Sequence, residues 1–397
     1  MIKLHLDTVS WFLLLGAVLL LPLAHMKTVI FGLPLYVPEW CVLAALLTRL
    51  LFGWRPFVSS ILALDWLILL GLGLFLVGAI LSFLTNPFSL TGLGMLKSWF
   101  VFPLLFGLLL WQALMQEKNR TTLLLTWLSM LLLVTLQSLR LFLDGSVTYD
   151  GRLQGDYASP NFLAFFVVPG VILVLHWLFE ETRKKIEWPL RIAVMTGLFF
   201  LVTVIFLTRS YGVWFALIVA SGVFFGGRFF LTSLPKKVAL SALVMVLILA
   251  GSFVFFERGS EKWQSLMGHD ARSSWSSRVM IWQTALAIAK DHPFVGIGVG
   301  RFQSTYLEYQ RFFPPYLEWA VPEPHNFFLA LFLSTGLIGL GGFLLLIGRL
   351  GVLFVRRWER GLSPSDQNVF LLLSSLWTLV LVYGLFDTPY FKTDLAY

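Results

Sequence analysis

A polar stretch of roughly seventy residues, from Glu257 to His325, interrupts a sequence that is otherwise mostly apolar. Its side chains suited to chemistry are Arg272, Arg278, Arg301, Arg311 and His325. A neutral imidazole can take a proton from a hydroxyl near pH 7, and arginine binds phosphate oxygens through its planar fork of N–H groups. A structureless loop of this length would be unusual, so we expect a small folded cap that carries these residues.

His325 follows a proline and begins an apolar segment, which places it at a predicted membrane edge. It could act as a general base there, or be a helix-terminal histidine that contacts backbone or lipid headgroups. Asn326 beside it could orient a hydroxyl or the imidazole. His176 lies within an apolar segment and His292 precedes a helix-ending proline, so both are weaker candidates. No two histidines have the i, i+4 spacing of a metal pair, and none of the acidic residues on the predicted outer side forms a close Asp-Asp or Asp-x-Asp pair.

Cationic side chains gather where several apolar segments end on the predicted outer side: Lys97, Arg140, Arg152 and Arg209. Asn161 lies near Arg152 in the same polar segment. Taken singly, each cation could extend to the phosphate headgroups of the membrane. Taken together with the cationic loop, they indicate a site for an anionic lipid headgroup, because charge at a membrane edge is costly and usually paired or functional.

Two helices are predicted within the polar stretch. Ser276 or Ser277 can cap the first, and Asp291-His292-Pro293 ends it; its apolar face recurs every three or four residues at Ile281, Trp282, Ala285, Leu286 and Ala289. The second helix would share one face among Phe302, Tyr306, Tyr309 and Phe313. Both faces could lie on the outer membrane surface. The glycines of GIGVG (296–300) between them predict a tight turn, since the Gly-Lys-Ser/Thr of a phosphate-binding loop is missing.

The elements that must position these residues are membrane helices. Hydrophobic residues make up 58% of the 397 and charged residues 13%, far from the average of soluble proteins. Apolar segments long enough to span a bilayer occur at about 9–24, 37–53, 64–84, 95–115, 121–143, 160–179, 190–208, 211–227, 236–256, 326–354 and 367–386. The prediction is therefore an all-α integral membrane protein with about 11 transmembrane helices. The single cysteine, Cys41, excludes a disulfide framework.

The positive charges predict the orientation. With the N-terminus inside, the inner connections and the N-terminal segment hold 16 of the 29 Lys and Arg residues, as the positive-inside rule requires. This distribution explains the formal charge of +8 without nucleic acid. It places the polar stretch and the predicted site outside a cytoplasmic membrane. We predict the divisions 1–256 (nine spans), 257–324 (a helical outer loop carrying active-site residues) and 325–397 (two spans and a tail).

Four blocks of sequence, taken in order, resemble the O-antigen ligase and O-antigen polymerase superfamily of bacterial membrane glycosyltransferases. They are GRLQGDYASPNFLA (151–164), TRSYGVWFAL (208–217), SRVMIWQTALAIAKDHPFVGIGVGRF (277–302) and HNFFLALFLSTGLIGLGGF (325–343). The third and fourth are the more specific: an arginine with tryptophan four residues on, a DHPF run followed by glycines, then His-Asn at the start of the next span. The family commonly has one more span after a segment like 387–396, which would make 12.

The resemblance implies a GT-C-like fold that transfers a glycan from a polyprenyl-diphosphate carrier to a lipid or glycan acceptor on the outer face of the bacterial inner membrane. No cofactor, nucleotide sugar, metal or nucleic acid is expected. His325 would be the general base and Arg278 would bind the diphosphate. Further predicted substrate- or diphosphate-binding residues are Lys97, Arg152, Asn161, Arg209, Tyr211, Arg301 and Asn326.

One block departs from the family pattern. The family usually reads Thr-x-Ser-Arg-Gly, whereas here Tyr211 takes the arginine position and Arg209 lies two residues earlier. On a helix, two residues correspond to about 200° and so to another face; in a turn, Arg209 could still reach the same pocket.

Three functions remain open on the sequence. The first is a glycan ligase or polymerase. The second is a transporter of a small anion or a lipid-linked glycan, which should place polar groups near mid-membrane on broken helices. The third is a non-catalytic glycan-binding subunit, which could keep the arginines but should tolerate loss of the base. Scarce mid-span charge and polar residues at one outer rim favour the enzyme.

Overall fold

The computed structural model describes residues 2–181, 188–231, 236–268, 273–312, 321–361 and 363–388. The helices are α1 (Ile2–Leu19), α2 (Val37–Leu62), α3 (Trp66–Thr85), α4 (Leu90–Leu96), α5 (Phe102–Leu114), α6 (Glu117–Leu143), α7 (Pro160–Glu181), α8 (Trp188–Leu207), α9 (Tyr211–Leu231), α10 (Lys236–Glu257), α11 (Glu261–Met267), α12 (Ser274–Asp291), α13 (Phe302–Tyr309), α14 (Phe327–Glu359) and α15 (Pro364–Tyr383). A π-helical turn, Lys97–Val101, joins α4 to α5. One antiparallel hairpin, β1 (Lys27–Ile30) and β2 (Leu33–Tyr36), precedes α2.

The all-α multi-pass prediction is confirmed, because each of the eleven predicted spans coincides with a helix. Within the described ranges, nine helices are long and apolar enough to cross a bilayer, or ten when the bent pair α10–α11 counts as one span. The apolar part of α1, Thr8–Leu19, is shorter. The hairpin is one part of the described fold that the sequence does not predict.

Some predicted boundaries differ from those of the helices. The second span, predicted to end at residue 53, continues as α2 to Leu62 because the chain kinks at Gly53 and resumes its helix through Pro56. Proline lacks the N–H of a regular helix, so a kink one turn before it lets the helix continue. The fourth span begins earlier than predicted, at Leu90, because the π-helical turn keeps the chain helical.

The chain forms two compact units. The first comprises Met1–Met130 and Arg278–Leu353, and the second comprises Leu131–Ser277 and Phe354–Pro389. These units follow spatial contacts, whereas the predicted divisions at 256 and 324 followed hydropathy; those divisions stay a prediction.

In the first unit, glycines bring α3 and α14 into close contact. A methyl group added at Gly78 would meet the backbone nitrogen of Gly339 at 2.4 Å, and one at Gly342 would meet that of Phe75 at 2.4 Å. Small residues of this kind let membrane helices approach closely, where van der Waals packing replaces the hydrophobic effect. Phe75 and Ala79 on α3 are buried in the resulting core.

Helix α14 is broken at Gly336, and the segment after α12 closes the break. Gly336 has φ of 66° and ψ of −170°. The backbone N–H of Ile297 donates to the carbonyl of Leu333 at 2.8 Å, and that of Leu337 donates to the carbonyl of Pro293 at 2.9 Å. Ile297 of the predicted tight turn and Pro293 before it therefore supply the hydrogen bonds that a continuous α14 would have made.

Helices α12 and α13 of the polar stretch each bury one face inside the protein. Helix α12 confirms the predicted first helix, and α13 begins the second, whose remaining predicted member Phe313 lies outside the described residues. The expectation that both apolar faces lie on the membrane surface is wrong for the residues that are buried. These residues pack against one another and against Leu333 of α14; they are Ile281, Ala285, Ala289, Phe302 and Tyr306. Leu286, assigned to the same face, is exposed.

Helix α7 is the central helix of the second unit. In its most apolar stretch of 18 residues, 72% is buried, against 17% in the corresponding stretch of α8, which packs beside it. Helix α9 packs against both α15 and α10. At the end of α10 the chain turns through 94° into α11.

An ion pair joins two elements of the first unit. Asp65 caps α3 by accepting from the backbone N–H of Leu67 at 3.0 Å, and its carboxylate also accepts from Nε of Arg349 at 2.8 Å. The hydrogen bond from Arg349 lowers the pKa of the Asp65 carboxyl.

The helix break gives a first prediction. Gly336→Ala should destabilise the protein, because the new methyl group would meet the carbonyl oxygen of Phe294 at 2.0 Å at a positive φ. Backbone strain of this kind alone costs about 1–3 kcal/mol. Gly348→Ala is the matched control on the same helix, where nothing lies within 4 Å. It should stabilise by about 0.5–1 kcal/mol. Thermal unfolding in detergent measures both variants. Equal shifts of their unfolding temperatures would contradict the packing of residues 293–297 into the break at Gly336.

The ion pair gives a second prediction. Because the folded-state pKa of Asp65 is lowered, its contribution to stability is present above the ordinary pKa of about 3.9 and is lost as pH falls through the lowered value. Asp65→Asn should therefore unfold at lower temperature near neutral pH and lose less stability on acidification than the parent protein. Asp156→Asn, at an exposed position, serves as the control. An unchanged acid dependence in Asp65→Asn would count against this assignment.

Candidate functional site

The predicted site residues fall into two groups, one in each unit. The first unit holds Lys97, Arg278, Arg301, His325 and Asn326, and the second holds Arg152, Asn161, Arg209 and Tyr211. All nine are half-buried. Two residues highlighted in the polar stretch are not among them: Arg272 lies outside the described residues, and Arg311 is exposed.

His325 occupies a strained position beside the first turn of α14. Its φ is 49°, in the left-handed region that residues other than glycine rarely adopt. Such backbone conformations cost about 1–3 kcal/mol and concentrate at functional sites. The residues around it in the chain, Val321, Glu323, Pro324 and Phe327, are buried. The imidazole is therefore held at the rim of the packed core.

A hydrogen bond connects His325 to the helix that carries Arg278. The indole Nε1–H of Trp282 donates to the backbone carbonyl of His325 at 3.3 Å. Arg278 lies four residues before Trp282 on α12, and residues at this spacing share one face of a helix. The structure thereby directs the face that carries Arg278 toward the segment of His325. It also gives a physical reason for the spacing of arginine and tryptophan in the third motif.

Asn326 has a structural role that the sequence analysis did not assign. Its side-chain oxygen accepts from the backbone N–H of Leu329 at 3.0 Å, the bond of a helix N-cap. The cap fixes where α14 starts and so fixes the residue before it, His325. Orientation of a substrate hydroxyl by Asn326 stays a prediction.

The other two cations of the first unit contact protein groups. Lys97, in the π-helical turn, forms an ion pair with Glu39, which is fully buried, and lies 4.9 Å from the ring centroid of Phe102. Glu39 also accepts from the backbone N–H of Tyr36, the last residue of the hairpin. Arg301 donates to the carbonyl of Pro87 at 3.4 Å. These contacts favour anchoring roles, and diphosphate binding stays a prediction for both residues.

In the second unit, Arg152 ties three elements together. Its Nε donates to the carbonyl of Thr208 at 2.7 Å and its Nη2 donates to the side-chain oxygen of Asn161 at 2.8 Å. The side-chain N–H of Asn161 in turn donates to the carboxylate of Asp387 at 3.1 Å. Asp387 is 1% exposed and also accepts from the hydroxyl of Tyr383 at 3.1 Å. Arg152 thus connects the start of α7, the turn after α8 and the end of α15.

Arg209 and Tyr211 converge on one carboxylate. Arg209 lies in the turn between α8 and α9, with φ of 48°. Its Nε lies 3.2 Å from Oε1 of Glu257, and the hydroxyl of Tyr211 donates to Oε2 of the same residue at 2.8 Å. Of the two alternatives for Arg209, the turn geometry is the one observed. Both side chains of this block therefore meet at the carboxylate of Glu257.

Sequence reasoning assigned no role to Glu257, Lys262 or Asp387. The available signal was position: Glu257 ends an apolar span and Asp387 follows another, and a charge at a membrane edge is usually paired or functional. Which cation each acid would face depends on how helices pack, and the sequence pattern does not contain that information.

The Arg152 contacts predict a stability effect. Arg152→Gln should lower the free energy of unfolding by about 2 kcal/mol, because hydrogen bonds to a charged group are lost from a side chain that is 14% exposed. Arg140→Gln is the control, since that side chain is 75% exposed and its Nε lies 3.8 Å from the carboxylate of Asp144. Thermal unfolding of the purified variants compares them. A loss of donor binding in Arg152→Gln without a change in stability would instead assign Arg152 to the substrate.

Comparison with known proteins finds a family match. No curated protein matches the chain. Residues 196–344 match a family model described as O-antigen ligase. The match contains Arg209, Tyr211, Arg278, Arg301 and His325, together with the helix break at Gly336. This part of the chain is therefore similar to the O-antigen ligase family, and the match supports the resemblance seen in the sequence motifs.

Proposed function

We propose that this membrane protein transfers a glycan from a polyprenyl-diphosphate carrier to an acceptor hydroxyl at the outer face of the bacterial cytoplasmic membrane. His325 acts as the general base and Arg278 binds the diphosphate. The observation that carries the proposal is the bond from Trp282 to the strained His325, because it joins the segment of the base to the helix of the arginine. The N-terminus lies on the cytoplasmic side, as the distribution of Lys and Arg favours.

The chemistry follows from these roles. The acceptor oxygen attacks the anomeric carbon, and the bond from that carbon to the phosphate oxygen breaks with its electron pair going to the diphosphate. His325 takes the proton of the acceptor hydroxyl and returns it to water. Fixed positive charge at Arg278 stabilises the negative charge that grows on the departing diphosphate. Positioned general bases of this kind contribute roughly 10²–10⁴ in rate.

A transporter is the competing function, and the broken helix α14 is the feature to weigh. In transporters, freed backbone groups at such a break bind the substrate or ion. Here the carbonyl of Leu333 and the N–H of Leu337 already bond to Ile297 and Pro293. Because the chain itself occupies these two groups, the break supports the enzyme over the transporter.

The test is a transfer assay in membranes with a polyprenyl-diphosphate-linked oligosaccharide as donor. His325→Asn removes the base while tolerating the positive φ better than alanine would. It should lower transfer by roughly 10²–10⁴. Arg278→Ala should also lose glycan transfer when it is compared at the same protein level. His292→Ala and Lys290→Ala are the controls, since both side chains are exposed at the end of α12 and should leave transfer unchanged.

The outcomes separate the hypotheses. Full activity in His325→Asn would remove the general-base role, and a parent protein that never consumes lipid-linked donor would remove the transferase itself. The length of the glycan product distinguishes polymerisation from ligation to a separate acceptor. We expect activity to survive EDTA, because arginine rather than a metal ion meets the diphosphate charge in this proposal.

A further inference from the structure

Glu257 is a buried carboxylate at the end of a membrane helix. The residue is 5% exposed, and it terminates α10 where the chain bends into α11. Its contacts are Nε of Arg209 at 3.2 Å, the hydroxyl of Tyr211 at 2.8 Å and the hydroxyl of Ser260 at 3.2 Å. A carboxylate in such a place is costly unless it is paired, so these contacts account for its burial.

Arg209 remains partly accessible beside this ion pair. Its contact with Glu257 runs from Nε to Oε1, and 42% of the Arg209 side chain is exposed. The two terminal nitrogens form the edge that binds carboxylate or phosphate oxygens in a bidentate manner. An arginine restrained at Nε therefore presents a pre-oriented fork, and less rotamer freedom is lost when an anion binds.

Lys262 restrains the same residue from the backbone side. Its Nζ donates to the carbonyl of Arg209 at 2.6 Å and lies 4.2 Å from the ring centroid of Tyr211. The bend after α10 makes this contact possible, because Ser260 caps α11 through the N–H of Trp263 and starts a helix that returns Lys262 toward the turn. The strained φ of Arg209 is thus held by a side chain from another helix.

We propose that Glu257 and Lys262 are positioning residues that hold Arg209 as a clamp for the phosphate oxygens of the lipid-diphosphate donor. This inference rests on the proposed function for the identity of the donor. Glu257 fixes the guanidinium and Lys262 fixes the main chain. With one acid and two cations, the cluster keeps a net positive charge for an anionic group. It supplies cationic recognition in a block where tyrosine occupies the usual position of the arginine.

The binding probe is inorganic pyrophosphate, measured by thermal shift of the full-length protein in detergent. Arg209→Ala, Glu257→Gln and Lys262→Met should each weaken pyrophosphate binding, by about three- to tenfold for the last two, since charge-assisted hydrogen bonds are roughly twice as strong as neutral ones. Lys262→Arg should retain most of the affinity. Arg258→Gln is the matched control, because Arg258 is exposed beside Glu257 and lies 4.0 Å from the ring of Phe255 instead.

Coupling distinguishes positioning from a general structural effect. Glu257→Gln should weaken pyrophosphate binding far less in the Arg209→Ala background than in the parent protein, because both act through one guanidinium. In the transfer assay, the KM for the donor should rise while the KM for the acceptor stays constant. Unchanged pyrophosphate affinity in Glu257→Gln and Lys262→Met, or fully additive losses with Arg209→Ala, would overturn the inference. Pyrophosphate binding that depends on these residues in a protein without transfer activity would uphold the clamp and reject the proposed reaction.

Discussion

A backbone amide inside a bilayer has no water to bond, so a break in a membrane helix must be closed by protein. In α14 this requirement is met by the segment that follows α12, which bonds to Leu333 and Leu337 on the two sides of Gly336. The closure explains the glycines on both partners: a methyl group at Gly296 would meet the carbonyl of Leu333 at 2.2 Å. The closure also holds α12 against α14. Helix α12 carries Arg278, and α14 begins just after His325.

Backbone strain occurs at two of the residues to which the proposed function and the further inference give roles. Among the described residues other than glycine, positive φ occurs at Phe31, Arg209 and His325. Phe31 forms the tip of the hairpin, where such a conformation belongs to the turn. For the other two, a side-chain N–H from a neighbouring helix donates to the strained residue's own carbonyl: Trp282 to His325 and Lys262 to Arg209. Each strained position is thus stabilised locally, which is what a preorganised charge or base needs.

The sequence predicts the parts of the fold that depend on periodicity and on residue type. Apolar runs locate the eleven helices, the three- and four-residue spacing from Ile281 to Ala289 locates α12, and the glycines locate a turn. Three features could not be predicted: the hairpin, the bend after Glu257 and the insertion of residues 293–297 into α14. Each depends on which backbone groups lack hydrogen-bond partners once the helices have packed. The membrane-surface assignment of α12 and α13 was wrong for a similar reason: an apolar face does not reveal whether lipid or protein covers it.

In the candidate site, too, the sequence predicts the type of each residue but not the groups that it contacts. From the sequence, Lys97, Arg152 and Arg209 are equivalent: each is a cation at the end of a span. Their contacts separate them, because Lys97 is neutralised by a buried glutamate and Arg152 donates to a carbonyl and an amide at 14% exposure. Arg209 contacts Glu257 through Nε and keeps 42% of its side chain exposed. A buried cation whose charge is matched by protein groups stabilises the fold, whereas a partly exposed cation held by an ion pair can still meet an anion. Among these three cations, this difference in exposure favours Arg209 for the proposed contact with a ligand.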